Sequence, residues 1–172
     1  GNKSRWENSQ FRTDPKIAIK IIYYGRCWRM KLETLLPLGK LDPGLRGSDN
    51  VFDITQVYHD AKLLEDIGYD AIAVEETKID PYIFLSLAAQ STAKLGLTTA
   101  VAMAFPRSPA VTALAAWSLQ KLSSGRLTLG LGSQVKGHIE RRYGMTWAAP
   151  GPWMREYILA VKAVWKAWQT GE

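Results

Sequence analysis

Three glycines, Gly68, Gly96 and Gly125, recur at intervals of 28 and 29 residues. Each closes a run with helical periodicity and opens a short apolar run. A helix–glycine–strand unit repeating at this length marks a fold that adds one supersecondary unit beside the next. The first helical run, "DITQVYHDAKLLEDIG", sets Ile54, Val57, Tyr58, Ala61, Leu64 and Ile67 on one stripe, and Asp53 and Gln56 have capping-box spacing. The next two helices announce themselves with an N-cap followed by proline, Asp80-Pro81 and Ser108-Pro109. A last helix fits "WMREYILAVKAVWKAWQT", whose Met154, Tyr157, Ile158, Val161, Val164, Trp165 and Trp168 form a wide apolar stripe.

The apolar runs "AIAV", "TTAVAMA" and "LTLGLG" lack polar alternation, which predicts parallel strands covered on both faces. With "MKLETLLPL" as the first strand, the order is β-α-β-α-β-α-β-α. An open doubly wound sheet and a (β/α)₈ barrel both accept it. Near-equal units in a row favour the barrel, which takes roughly 250 residues. The predicted fold class is therefore α/β, the first four βα units of a (β/α)₈ TIM barrel, a half-barrel fragment over residues 30–172.

Charge sharpens the domain reading. Residues 1–29 carry seven Lys/Arg against two Asp/Glu, whereas residues 30–172 carry fifteen against fourteen. Five of the six net positive charges thus sit in the first segment, and the folded part, nearly neutral, shows no clustered basic charge for nucleic acid. The first segment lacks methionine and holds the one cysteine, Cys27, so Met30 is the expected start and 1–29 a leader outside the domain. No secretory signal, disulfide framework or thiolate metal site is expected. No apolar run reaches the roughly 20 residues of a membrane span. A cytoplasmic location is the default, and no metal site is expected.

Ligands of α/β folds gather at the carboxyl ends of strands. Here those ends open segments 38–52, 75–79, 103–107 and 132–152. In the second, Glu75 and Glu76 are adjacent and point to opposite sides of an extended chain. Either one is inward and one solvated, or one of them meets a ligand ring. In the third strand Thr98, Thr99 and Ala100 are small, which suits either a flat ligand or tight helix packing. After the fourth strand comes "GLGSQVKGHI". Its Gly132 and Gly137 have P-loop spacing, but His138 and Ile139 replace the Lys and Ser/Thr that would hold phosphate and magnesium. Val135 replaces the third glycine of a dinucleotide fingerprint. Gly130 and Gly132 share one face, which leaves space on that side of the strand. No histidine–carboxylate cluster supports a metal.

The stretches "AFPRSPAVTALAAWSLQKLSSGRLTLGLGSQVKGHIERRYGM" and "MREYILAVKAVWKAWQTGE" resemble the luciferase-like flavin and deazaflavin oxidoreductases, closest to the subgroup that uses coenzyme F420. The resemblance spans about residues 30–172. It implies a TIM barrel with a ring-shaped cofactor across its mouth. It also implies a bulge in the third strand, often with a non-prolyl cis peptide, at Thr99, Ala100 and Val101. Glu76, Thr77, Ser133 and Gln134 are the implied polar contacts of the cofactor. Some relatives place a histidine after the second strand and a glutamate after the fourth; Glu75-Glu76-Thr77 and Val135 stand there. The proton donor is therefore unassigned, with His138 and Glu76 as candidates. The implied reaction is hydride transfer between F420 and a small organic substrate, with FMN-dependent monooxygenation as the alternative. The loops expected to grip the cofactor's phosphate tail belong to a second half-barrel. A half-barrel that binds no cofactor alone, or self-associates through its open edges as a homo-oligomer, is the non-catalytic alternative.

Overall fold

The computed structural model describes residues 30–36 and 53–171. The leader 1–29 and segment 38–52 lie outside the described residues. The elements alternate as expected: β1 (Glu33–Leu36), α1 (Gln56–Asp66), β2 (Ala71–Val74), α2 (Pro81–Ser91), β3 (Gly96–Thr99), β4 (Ala102–Met103), α3 (Pro109–Leu122), β5 (Leu127–Thr128), β6 (Leu131–Gly132), α4 (Lys136–Arg141) and α5 (Pro150–Thr170). The third and fourth expected strands are each broken in two. β1-β2-β3-β5 form a four-stranded parallel sheet, and β4-β6 pair as a separate parallel two-stranded sheet further along the same two strands.

Strand order follows chain order without reversal. The helices follow the same order, α1 on α2, α2 on α3 and α3 on α5. A doubly wound sheet would need a reversal to place helices on both faces. Here the helices line one face. The register rows show this directly. Ile72 and Leu97 form one buried row, and Leu36, Val74 and Thr99 another. In the row between them Leu35 and Thr128 are exposed, Leu35 by 52%, and Ala73 and Thr98 are half-buried. The expectation of strands covered on both faces is met in part: the helix face is packed, and among the described residues the other face is covered at Ala71 but partly or fully exposed at Leu35, Ala73, Thr98 and Thr128.

Local signals explain the helices. Asp80 Oδ1 accepts from the Tyr82 N–H at 2.8 Å, and Ser108 Oγ accepts from the Val111 N–H at 3.3 Å, each with proline next in the chain. The capping box at Asp53 and Gln56 does not form. Asp53 Oδ1 instead accepts from the Thr55 N–H and hydroxyl, an Asx turn before α1. Val57, Ala61 and Leu64 are buried, whereas Tyr58 and Ile67 of the expected stripe are exposed. In α5 the stripe narrows to buried Tyr157 and Val161, and Trp168 is exposed.

Two of the three glycines stop helices through left-handed backbone, with φ of +95° at Gly68 and +88° at Gly125. Gly96 does something else. It is already in β3, opposite Ala71, where a Cβ would lie 2.9 Å from the Ala71 Cβ. α2 has ended at Ser91, and two side chains clamp the turn that follows. Glu65 Oε1 accepts from the backbone N–H groups of Ala93, Lys94 and Leu95 at 2.6–3.0 Å. Arg126 donates to the carbonyls of Ala89, Thr92, Leu95 and Ser123 and to the Thr92 hydroxyl. The Arg126 charge so meets the free carbonyls at the end of α2.

Two packed clusters result. One joins β1–β3 to α1–α3 around Ile72, Phe84, Leu85 and Leu97. The other, around Phe105, Ile139, Tyr157 and Val161, ties the segment after β6 to the end of the third strand. Phe105 stacks on Trp153 at 3.8 Å between ring centroids and meets Trp147 and Tyr157 edge-on.

Candidate functional site at the carboxyl ends of the strands

The breaks in the third and fourth strands face each other. The Ala100–Val101 peptide bond is cis, within the Thr99–Val101 stretch that the resemblance singles out. Opposite it run Leu129 and Gly130. The Thr99 hydroxyl donates to the Gly130 carbonyl at 2.7 Å and accepts from the Gly130 N–H at 2.8 Å. A Cβ at Gly130 would sit 2.1 Å from the Thr99 carbonyl oxygen, and one at Gly132 would sit 2.4 Å from Val101 Cγ2. The glycines of "GLG" therefore do not leave space. The neighbouring strand fills it with the Thr99 carbonyl and the Val101 side chain.

This arrangement separates the expected ring-contacting residues. Thr99 is 1% exposed and its hydroxyl is spent on Gly130. Ala100 is partly exposed, and Val101 is 44% exposed. Val101, seated over Gly132, is thus the apolar surface that the bulge presents to the mouth.

The "SQVKGHI" segment is not an open loop. Residues 136–141 form α4, a helix that sequence reasoning missed. Gln134 precedes it with φ +59°, a left-handed conformation that non-glycine residues adopt at a cost of about 1–2 kcal/mol. Its amide is held both ways: Oε1 accepts from the Val135 N–H at 2.8 Å, and Nε2 donates to Met103 Sδ at 3.6 Å. The Tyr143 hydroxyl reaches the same sulfur at 3.0 Å. Ser133 is partly exposed beside Gln134. His138 lies in α4, exposed to solvent, and Lys136 pairs with Glu140 at 3.8 Å along the same helix. The phosphate-loop spacing of Gly132 and Gly137 therefore spans a strand end and a helix, not a cradle.

After β2, Glu75 is exposed and Glu76 is turned in. Glu76 Oε2 accepts from the Met103 N–H at 2.7 Å and from Arg107 Nη1 at 2.7 Å. Arg107 Nη2 donates to Asp80 Oδ2 at 2.9 Å, and Nη1 also donates to the Met103 carbonyl at 3.0 Å. Burial works against the Arg107 charge, but its hydrogen bonds to Glu76 and Asp80 overcome it and raise its pKa above the ordinary guanidinium value. The guanidinium lies 5.5 Å from the centre of the Tyr82 ring. Burial likewise pushes the Tyr82 phenol well above its usual range. Thr77 contributes its carbonyl to Arg142, which draws the segment after β6 toward the segment after β2.

Glu76, Thr77, Ala100, Val101, Ser133 and Gln134 all lie at or beyond the carboxyl ends of β2, β3 and β6, and Glu76 and Gln134 are both bonded to Met103 there. His138 is set apart on α4. Arg107, Asp80, Met103 and Tyr143 were not among the expected site residues. The one signal for Arg107 was its place beside the Ser108-Pro109 helix start. Among the described residues no group of three or more His, Cys, Asp or Glu could hold a metal ion, and no helix is long and apolar enough to cross a membrane.

Comparison with known proteins gives this geometry a context. An uncharacterized protein of Mycobacterium tuberculosis is 46% identical over 111 residues, 64% of this chain and 33% of that protein. A second protein of the same organism, provisionally named a coenzyme F420-dependent oxidoreductase, is 37% identical over 102 residues, 59% of this chain and 29% of that protein. The chain therefore spans about a third of the length of the curated relatives it matches. In shape, it matches the oxygenating constituent of 3,6-diketocamphane monooxygenase from Pseudomonas putida, a Baeyer-Villiger enzyme in complex with FMN. The TM-score is 0.68 at 18% identity, over 80% of this chain and 40% of that one. The model of the luciferase-like monooxygenase family matches residues 30–172, and this chain belongs to that family.

Proposed function

We propose that the chain is the first half of a (β/α)₈ barrel whose mouth binds the ring of coenzyme F420 for hydride exchange with a small organic substrate. Bound there, the deazaflavin would supply the hydride chemistry, and the protein would supply position and electrostatics. Val101 carries the reading: it is exposed at the carboxyl ends of the strands and locked over Gly132, where a Cβ would meet it at 2.4 Å. A flat ring needs such a surface, apolar and fixed at its back. Val101 and Ala100 would back the ring, and the Ser133 hydroxyl and Gln134 amide would meet its polar edge. The partly exposed row of Ala73, Thr98 and Thr128 would let the ring and substrate approach from inside the barrel. Glu76 is not the proton donor in this reading, because its Oε2 already takes two donors. His138, exposed on α4, would reach substrate only through a change in that segment. The phosphate tail would be held by parts of the barrel beyond this chain.

FMN is the competing occupant, since it offers a tricyclic ring of the same shape and fills the matching P. putida barrel. Titration of F420 and of FMN, followed by quenching of cofactor fluorescence, separates the two. The expected result is weak quenching by the 172-residue chain, tighter binding once the downstream half is restored, and preference for F420. Failure of the restored protein to bind either cofactor would remove the enzyme reading and leave a half-barrel that associates through its open edges.

A further inference from the structure

Hydrogen bonding along the third strand changes sides at its break. The Ala100 N–H donates to the Val74 carbonyl of β2 at 2.7 Å. Further on, Ala102 and Ala104 donate to the Gly130 and Gly132 carbonyls of the fourth strand, at 2.9 and 2.8 Å. Met103, between them, directs its own N–H and carbonyl to the opposite side, where β2 has already ended at Val74. Buried main-chain groups there need partners. Glu76 accepts the Met103 N–H at 2.7 Å, and Arg107 donates to the Met103 carbonyl at 3.0 Å. The carboxylate and guanidinium thus occupy the places of a carbonyl and an N–H in a continued second strand. They are also bound to each other at 2.7 Å, and Asp80, fixed as the N-cap of α2, holds the far side of Arg107 at 2.9 Å. Glu76 and Arg107 side chains are only 9% and 17% exposed, so salt screens them little.

We infer that Glu76 and Arg107 are a positioning pair, a side-chain splice that prolongs the second strand at Met103 and so sets where Val101 and Gln134 stand against the cofactor ring. The inference rests on the cofactor-binding reading above. It assigns Glu76 to main-chain support instead of proton transfer or ring contact. It gives Arg107 the same task from the other side. Met103 transmits the setting, because its sulfur receives both the Gln134 amide and the Tyr143 hydroxyl.

Amide exchange and cofactor binding together test it. Glu76→Gln keeps an acceptor for the Met103 N–H and loses the ion pair. Arg107→Lys keeps the charge and loses the two-pronged geometry. In the full chain, both are expected to speed exchange of the Met103 amide about tenfold, with the Ile72 and Leu97 amides unchanged. In whichever form of the protein binds FMN or F420, both are expected to weaken Kd about tenfold and to shift the absorption band of the bound cofactor. Unaltered Met103 exchange in both variants would overturn the splice. Faster exchange with wild-type Kd and wild-type bound spectrum would overturn the link to the ring, leaving an ordinary stabilising ion pair. If no form binds either cofactor, the cofactor reading fails and the positioning role fails with it. Wild-type Met103 protection would mark that failure as distinct from a failure of the splice.

Discussion

Gly130 lies so close to Thr99 that a Cβ on it would come within 2.1 Å of the Thr99 carbonyl oxygen. The obstacle is main chain, bound to Gly130 on both of its polar groups through the Thr99 hydroxyl, so it cannot turn aside. Gly130→Ala should therefore cost at least about 3 kcal/mol, the upper range of overpacking. Gly137, inside α4, has nothing within 4 Å of its Cβ position. Gly137→Ala should stabilise by about 0.5–1 kcal/mol through helix propensity. Urea denaturation of both variants gives the two values with opposite signs.

Arg126 donates four hydrogen bonds to the end of α2 and the turn before β3, and a fifth to the Ser123 carbonyl at the end of α3. Lysine cannot reproduce a planar fork aimed at several carbonyls. Arg126→Lys is expected to lose about 2 kcal/mol and Arg126→Ala about 3 kcal/mol, with cofactor affinity per folded molecule unchanged. Denaturant midpoints and a cofactor titration on the same samples check both halves of the statement.

Glu65 caps the same turn from α1. Its burial acts to raise its pKa, but the N–H groups of Lys94, Leu95 and Ala93 prevail and hold it below the ordinary glutamate value. A pKa lower in the folded than in the unfolded protein means stabilisation that is complete above the unfolded value, about 4.3, and lost as pH falls through the folded value. Glu65→Gln should lie about 1–2 kcal/mol below wild type at neutral pH. The gap should close as the pH is lowered through the acid range. Thermal midpoints recorded from neutral pH downward would show two curves converging on the acid side.

Two buried tyrosines should respond differently to loss of their hydroxyls. The Tyr157 hydroxyl shares a 2.5 Å hydrogen bond with Thr112 Oγ1 and lies 3.4 Å from the Ser108 carbonyl. The Tyr82 hydroxyl is buried and, among the described residues, has no hydrogen-bond partner. Tyr157→Phe is expected to cost about 1–2 kcal/mol, and Tyr82→Phe to be neutral or stabilising by up to about 1 kcal/mol. Equal losses from the two would show that Tyr82 has a partner in solution, such as an ordered water.

Signals that act over a few residues were legible in the sequence. Asp80-Pro81 and Ser108-Pro109 start helices where they should, because an N-cap and its proline need only the next three residues. The periodicity likewise located the four long helices and four strand regions found among the described residues. Gly96 was misassigned because a glycine used for space looks the same as one used for a positive φ. The same ambiguity hid the purpose of Gly130 and Gly132: their neighbour, the bulge of the third strand, is about thirty residues away. α4 was missed because it is short, contains Gly137 and has no side-chain cap. The resemblance pointed to the Ala100–Val101 region, but Glu76, Arg107 and Met103 meet through contacts that no local pattern encodes. Glu65 and Arg126 belong to the same class. The "SGR" that helps to mark the family in the sequence is a stability device at the amino ends of the strands, the end opposite Ser133 and Gln134.

The separation of the β4–β6 pair from the four-stranded sheet divides the molecule into a foundation and a face. Glu65, Arg126 and the long helices secure the foundation, and Glu76, Arg107 and Gln134 trim the face. Changes at the mouth need not be registered by the ladder below it. On the cofactor reading proposed above, a lineage could therefore exchange one ring chemistry for another by redecorating Val101, Ser133 and Gln134 while the wall that carries them stays as it is.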